Sequence, residues 1–373
     1  MKRRDFIING FLGSAGISAA GCSSFVRKKY EVTTRFATHS FEVTHPKPSG
    51  GTIETKELGS SGIKVSSFGY GAHMPTELVP FEEERCTMIR GAHELGVSVF
   101  DIYDHWGVEQ FEPMSRHLKP IMNDVILSLN MQLLKGRTCD QEFERALRLF
   151  NRDYIDMYRL NANASSPENK RNSWQYWDKL FQFKEQGKIR AVGMSIHYPH
   201  EPELVLKTYP LDYVILPFNF YHNLLHSGDL SGDYHPLMKE LRKKGVGIVV
   251  MKPFATDWFV QPLIEVAQQI DETGEISLPR AMLRYVINSY VEPDIILGGM
   301  FNLDHVYEDV PAFYQTEISS EEKRLLKKLR KVTRINFQKQ PKSSDRVLNI
   351  RMPRHYQFLE HWAAHTDDTE QIS

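Results

Sequence analysis

The chain has 373 residues, 41% of them hydrophobic and 25% charged, a globular composition long enough for one large or two modest domains with a sizeable core. Lys and Arg total 46 against 47 Asp and Glu, for a formal net charge of -1. No field of one sign is available to steer nucleic acid, so nucleic-acid binding is not expected.

The first element is a targeting segment. Lys2, Arg3 and Arg4 head a weakly apolar run from Phe6 to Ala20, with small residues before Cys22, which is the layout of an export signal. A run of roughly 15 residues falls short of the roughly 20 that span a bilayer, which disfavours a retained anchor. Arg3-Arg4 followed by Asp5-Phe6-Ile7 resembles a twin-arginine signature. Ala19-Ala20-Gly21-Cys22 resembles a lipobox, in which the cysteine thiol is acylated. Residues 1–22 are therefore expected to be a twin-arginine, lipoprotein-type signal, with the twin-arginine export machinery as one partner. A lipidated Cys22 would make the membrane a second partner. The expected location is outside the cytoplasm, as a periplasmic or cell-envelope lipoprotein. Because this route carries folded proteins, any cofactor would be loaded before export.

Residues 23–51 are polar, close on P-K-P-S-G-G, and read as a tether. From Thr52 short apolar runs alternate with amphipathic stretches. The runs are SSFGYGA, SVFDIYD, DVILSLN, YIDMYRL, AVGMSIH, YVILPFN, GIVVMKP and DIILGG. Stretches such as EEERCTMIRGAHELG and DQEFERALRLF lie between them, with apolar residues three and four apart. About eight such units predict an α/β fold, a (β/α)8 TIM barrel over residues 52–335. No G-x-G-x-x-G follows the first strand, which argues against an open dinucleotide-binding sheet. The aromatics of WQYWDKLFQF fall at helical spacing and are expected in the core, and EEKRLLKKLRK is expected to be a solvated amphipathic helix. Cys86 and Cys139 lie in helical segments and read as buried free thiols, with a disulfide between them as the alternative. Residues 336–373 are expected to form a C-terminal extension that ends in a short helix bearing His361 and Trp362 and folds over one mouth of the barrel.

Reactive side chains of such a barrel gather where its strands end. Here those ends carry ELGSSGIKVSSFGYGA, FDIYDHWG, YIDMYRLN, IRAVGMSIH and IILGGMFNLDHVYEDV. In order and spacing these segments resemble the aldo-keto reductase family from about Thr52 to Arg334. The resemblance implies reduction of a small carbonyl substrate with NAD or NADP, by hydride transfer together with a proton from a tyrosine. A lysine and an aspartate tune that tyrosine, and a histidine orients the carbonyl. The aspartate falls on Asp101, the tyrosine position on Trp106, the lysine position on Asn130 and the histidine position on Asn161. An indole N–H does not give up its proton near neutral pH, so Trp106 cannot act as the acid. Asn130 carries no charge to lower a phenol pKa, whereas Asn161 can still donate to a carbonyl oxygen.

Alternation along the strands supplies substitutes, because residues two apart share a face. Tyr103 shares parity with Asp101, and Arg159 shares it with Asn161, so Arg159 is a candidate for the missing cation. His73, His105 and His197 also fall near strand ends, but their spacing specifies no metal site. Toward the cofactor, Ser195 matches the family serine that holds the nicotinamide amide, while Ile196 and Ile215 replace its amide-bearing neighbours. Lys252 falls near the pyrophosphate and Gly298-Gly299 at the phosphate-binding helix. Met300-Phe301-Asn302 lacks the basic residue that reads a 2′-phosphate. Glu308 echoes an acid near the adenine. These losses leave three readings: an exported oxidoreductase with a rebuilt proton donor, a catalytically inactive barrel binding a small molecule or carbohydrate, or hydrolysis or lyase action by Asp101, Asp104 or a metal.

Overall fold

The computed structural model describes residues 31–33, 38–72, 78–104, 109–131, 137–162, 173–221, 231–255, 257–271 and 273–338. Two antiparallel hairpins come first: β1 (Glu31–Thr33) with β2 (Thr38–Ser40), and β3 (Thr55–Glu57) with β4 (Lys64–Ser66). Eight parallel strands then close into a barrel in chain order. They are β5 (Phe68–Gly71), β6 (Val99–Ile102), β7 (Ile126–Asn130), β8 (Ile155–Asn161), β9 (Ile189–Ser195), β10 (Tyr213–Pro217), β11 (Gly247–Met251) and β12 (Ile295–Gly298). Helices lie between consecutive strands, and each of the eight apolar runs overlaps one strand.

Two apolar shells result from this alternation. Outward residues such as Phe100, Leu127, Tyr158, Val192 and Val250 pack under the helices in the main core. Inward residues Val99, Met157, Ala191, Tyr213, Ile215, Val249, Ile295 and Leu297 form a separate cluster along the axis. Leu58, Ile63 and Val65 of the β3–β4 hairpin join that inner cluster, and the hairpin is tied to strand starts by Ser60 N–H to Gly245 O at 2.8 Å and Gly59 N–H to Asp294 Oδ2 at 3.2 Å. One end of the cylinder is thereby stoppered with hydrocarbon, which leaves the strand C-termini as the open face. Gly193 is required by this packing. It pairs in register with Tyr213, and a Cβ at Gly193 would overlap the Tyr213 ring.

In the helix Ser173–Glu185, Trp177, Leu180 and Phe183 are buried as expected, while Trp174 is exposed. The run at 321–331 lies in the helix Ser320–Gln338, which buries Leu325, Leu326 and Leu329 against Leu263, Val266 and Met282. That helix crosses the boundary expected at 335. Cys139 is a buried free thiol, but Cys86 is free and only half-buried, because it sits at the flank of its helix's apolar face. Among the described residues no helix is long and apolar enough to cross a membrane. Residues 1–22, the tail from 339 onward, His73, His105, Trp106 and Cys22 lie outside the described residues.

Part of the segment expected to be a tether lies against the barrel. Phe41 stacks near Phe81 with ring centroids 5.1 Å apart, and Lys47 pairs with Glu94 at 3.0 Å. His39 meets Phe301 edge-on at 5.2 Å. Backbone N–H groups of Thr44 and His45 donate to Asp304 Oδ1 at 2.6 and 2.7 Å.

Candidate active site

Parallel register sets the site's first row. Asp101 of β6 pairs with Ser128 of β7, and Asn130 of β7 pairs with Arg159 of β8. All four side chains point to the axis, and all are nearly fully buried. Arg159 grips Asp101 with both arms of its guanidinium, Nη1 to Oδ1 at 2.5 Å and Nη2 to Oδ2 at 3.0 Å. Ser128 Oγ donates to the same Oδ1 at 2.6 Å and accepts from Arg159 Nη1 at 3.2 Å. Burial would strip the Arg159 charge, but Asp101 outweighs it and holds the guanidinium above its ordinary pKa. A buried charge survives only when paired and hydrogen-bonded, and a two-pronged fork on a carboxylate is the strongest such pairing.

Asn130 sits where this row opens, only 1% exposed, and its Oδ1 has no hydrogen-bond partner among the described residues. Being neutral, it leaves the ion pair beside it undisturbed. One step round the barrel, Asn161 pairs in register with Ser195 of β9, and the Ser195 hydroxyl donates to Asn161 Oδ1. Asn161 and Ser195 are both half-buried, at the upper edge. Tyr213 lies deeper and is fully buried, with its hydroxyl beside Arg159 and Ser128. Burial raises its phenol well above the ordinary range, against the opposing pull of Arg159.

Asp104 does not belong to this cluster. Its Oδ1 accepts from the backbone N–H groups of Gln110 and Phe111 at 2.6 and 2.9 Å, and its Oδ2 takes Arg145 at 2.9 Å. That spends the carboxylate on starting the helix Phe111–Leu118, so the chemistry expected of Asp104 is not available from this arrangement. No group of three or more His, Cys, Asp or Glu could hold a metal among the described residues.

The far end of the open face is made by β11, β12 and the loops that leave them. Lys252, half-buried after β11, has φ 57°, and Ala255 three residues on has φ 63°. Two L-residues in the left-handed region fix a tight loop there at a real conformational cost. Next to Gly298, Gly299 leaves open space, since a Cβ there would meet nothing within 4 Å. Asn302 caps the helix Leu303–Asp309, accepting from His305 N–H at 2.8 Å, and its Nδ2 donates to Ser40 O at 2.6 Å. Asp304 in the first turn is wholly engaged by Thr44 and His45, with Thr44 Oγ1 donating to Oδ2 at 3.0 Å. Burial pushes its carboxyl up, but the His45 and Thr44 donors prevail and the net pKa is lowered. Burial and neighbouring His39 draw His305 down to about 4, so its neutral Nδ1 can accept from Phe301 N–H at 3.4 Å. Glu308, expected near an adenine, accepts from Ser277 Oγ at 2.8 Å and stands 3.8 Å from His45 Nε2. Sequence reasoning missed Ser128, Asp304 and the 38–45 segment as parts of this face.

An eight-stranded parallel barrel with a buried ion pair and polar amides at its strand C-termini defines a (β/α)8 protein with its site in the usual place. The Aldo/keto reductase family profile matches residues 69–331, and the chain belongs to that family of oxidoreductases, whose cofactor is NAD(P)H. L-galactose dehydrogenase of Arabidopsis thaliana is 26% identical over 218 residues, covering 54% of this chain and 66% of that enzyme, a little under two thirds of its length. An aldo/keto reductase from Klebsiella pneumoniae, solved with NADPH, superposes with TM-score 0.60 at 16% identity, over 74% of this chain and 95% of the other. The apo aldo-keto reductase from Bacillus halodurans gives TM-score 0.56 at 20% identity, over 74% and 96%.

Proposed function

We propose that the protein is an exported carbonyl oxidoreductase that uses NAD(H) or NADP(H), in which Arg159 supplies the active-site cation usually carried by a lysine. The observation that carries this reading is the two-pronged Arg159–Asp101 pair, fixed by Ser128 at the inner wall of the open face. A family member that had abandoned polar chemistry would be expected to replace a buried ion pair with hydrocarbon, which is often neutral or stabilising.

The residues present fit a nicotinamide dinucleotide. Ser195, Asn161 and the unpartnered Asn130 Oδ1 would hold the carboxamide end, and Gly298, Gly299 and Lys252 would hold phosphate. Such a group supplies a hydride to the carbonyl carbon. The chain's part is to bind the carbonyl compound at the strand ends and to deliver the proton. Asp304 at the first turn of the last barrel helix, with no basic residue across Met300-Phe301-Asn302, favours NADH over NADPH. The name of the plant relative supports a sugar as the substrate class.

Titration of the purified protein with NADH and NADPH, followed by nicotinamide fluorescence, tests the reading. We expect micromolar binding, tighter for NADH. Absence of binding by either would overturn it in favour of a catalytically inactive barrel that binds a small molecule or carbohydrate. The docking of residues 38–45 on the phosphate end favours that second reading. Export through the twin-arginine machinery and a lipidated Cys22 complete the proposal, with the protein a periplasmic or cell-envelope lipoprotein. A Cys22→Ser variant should then appear in the soluble fraction instead of the membrane fraction.

A further inference from the structure

Carbonyl reduction needs a proton that is released near neutral pH, and at the family's usual donor and tuning positions neither the Trp106 indole nor the Asn130 amide gives one up. Two phenols lie close enough to Arg159 for their charge to act on it, Tyr213 and Tyr103. Tyr213 is sealed in the axis, 0% exposed, its ring filling the space in front of Gly193. A phenol held there has no path to a substrate.

Tyr103 is placed differently. It directly follows β6, two residues beyond Asp101, where an extended step out of the strand keeps the inward parity of Asp101. The β6–β7 ladder ends at Ile102 opposite Leu129, so Tyr103 is the first residue past β6 while Asn130 is the last of β7. Asn130 in turn pairs with Arg159. Tyr103, Asn130 and Arg159 thus come from the C-terminal ends of three neighbouring strands, and Tyr103 is half-buried.

We propose that Tyr103 is the proton donor of this active site, with the Arg159–Asp101 pair as its electrostatic neighbour; the inference rests on the oxidoreductase reading above. As the carbonyl carbon accepts a hydride from reduced nicotinamide, which is oxidised, the carbonyl oxygen takes the Tyr103 hydroxyl proton. The phenol O–H bond breaks, the alcohol O–H bond forms, and the phenolate regains a proton from water at the mouth.

The test uses the full-length protein, NADH and NADPH, and glyceraldehyde and galactose as carbonyl probes. Tyr103→Phe should lower kcat by about 100-fold to 10,000-fold, the usual worth of a positioned acid. Its dinucleotide Kd should stay within about twofold of wild type, and the fall of kcat at alkaline pH should vanish, while Tyr213→Phe should keep kcat within about threefold. A cofactor-free arm stands beside it. The phenolate absorbance of wild type minus Tyr103→Phe, followed as pH rises, should show one phenol ionising reversibly in the folded protein. Wild-type turnover that survives in Tyr103→Phe overturns the assignment alone, as does a phenol that ionises only when the protein unfolds. A wild type with no turnover on either probe and no dinucleotide binding sinks the oxidoreductase reading and Tyr103 with it.

Discussion

At the ends of β6, β7 and β8 a buried charge pair is held, Arg159 on Asp101, with the neutral Asn130 in register beside Arg159. At the end of β12 no basic residue follows Gly299 before the helix, and the chain's own residues 38–45 lie on that helix's first turn instead. The difference teaches which constraint is stiff. Asp101 inside the barrel cannot be left unpaired, so losing one cation demands another within reach of its oxygens. The helix start at Asn302 is covered by residues 38–45, whose backbone groups satisfy it. It is therefore free to diverge, even to recruit a neighbouring segment of chain.

The largest effect should come from breaking the stiff side. Arg159→Met leaves the Asp101 carboxylate buried with Ser128 as its remaining side-chain partner, and should cost about 3–5 kcal/mol in denaturant unfolding. Asp101→Leu combined with Arg159→Met should recover most of that loss, because it removes both charges together. A double variant as unstable as the single one would show that the pair's shape, rather than its charge balance, holds the barrel.

A smaller effect tests whether the row is packed as tightly as it is charged. Gly193→Ala places a methyl group where the Tyr213 ring lies, and should destabilise by about 1–3 kcal/mol through overpacking. If the two effects are coupled through Tyr213, Gly193→Ala should also weaken the contact of Arg159 with Asp101, visible as a non-additive loss in the Gly193→Ala, Arg159→Lys double variant.

Much of the stiff region is legible in the sequence, and little of the other. Eight apolar runs of strand length are a strong signal when helices separate them, and alternation puts Arg159, Asn161, Asp101 and Tyr103 on inward faces without coordinates. Ser128 escapes notice because a serine inside an apolar run carries no pattern until the register sets it opposite Asp101. The docked segment escapes for a different reason. It is held by backbone N–H groups on one carboxylate and by isolated aromatics such as Phe41, and neither leaves a periodic trace. Phe41, a lone large aromatic among polar residues, is the available hint. Asp104 misleads because an acid next to a strand end reads alike whether it reacts or caps a helix.

The smallest predicted effect probes the divergent side. Asp304→Asn keeps an acceptor in place but removes the charge that receives the Thr44 and His45 donors, and should weaken docking of residues 38–45 by about 1 kcal/mol. Amide hydrogen exchange at Thr44 and His45, corrected for its intrinsic pH dependence, reads this locally while global stability hardly moves. The carboxyl is lowered in the folded state, so its contribution is complete above the unfolded value of about 3.9 and is lost as pH falls through the folded one. Wild-type protection at these two amides should therefore hold across the neutral range and collapse only in acid, whereas Asp304→Asn should show the weaker protection at every pH. The same substitution removes a negative charge from the helix start, so it should tighten NADPH more than NADH. Equal changes for both dinucleotides would mean that the segment, and not the charge of Asp304, governs access to the phosphate end.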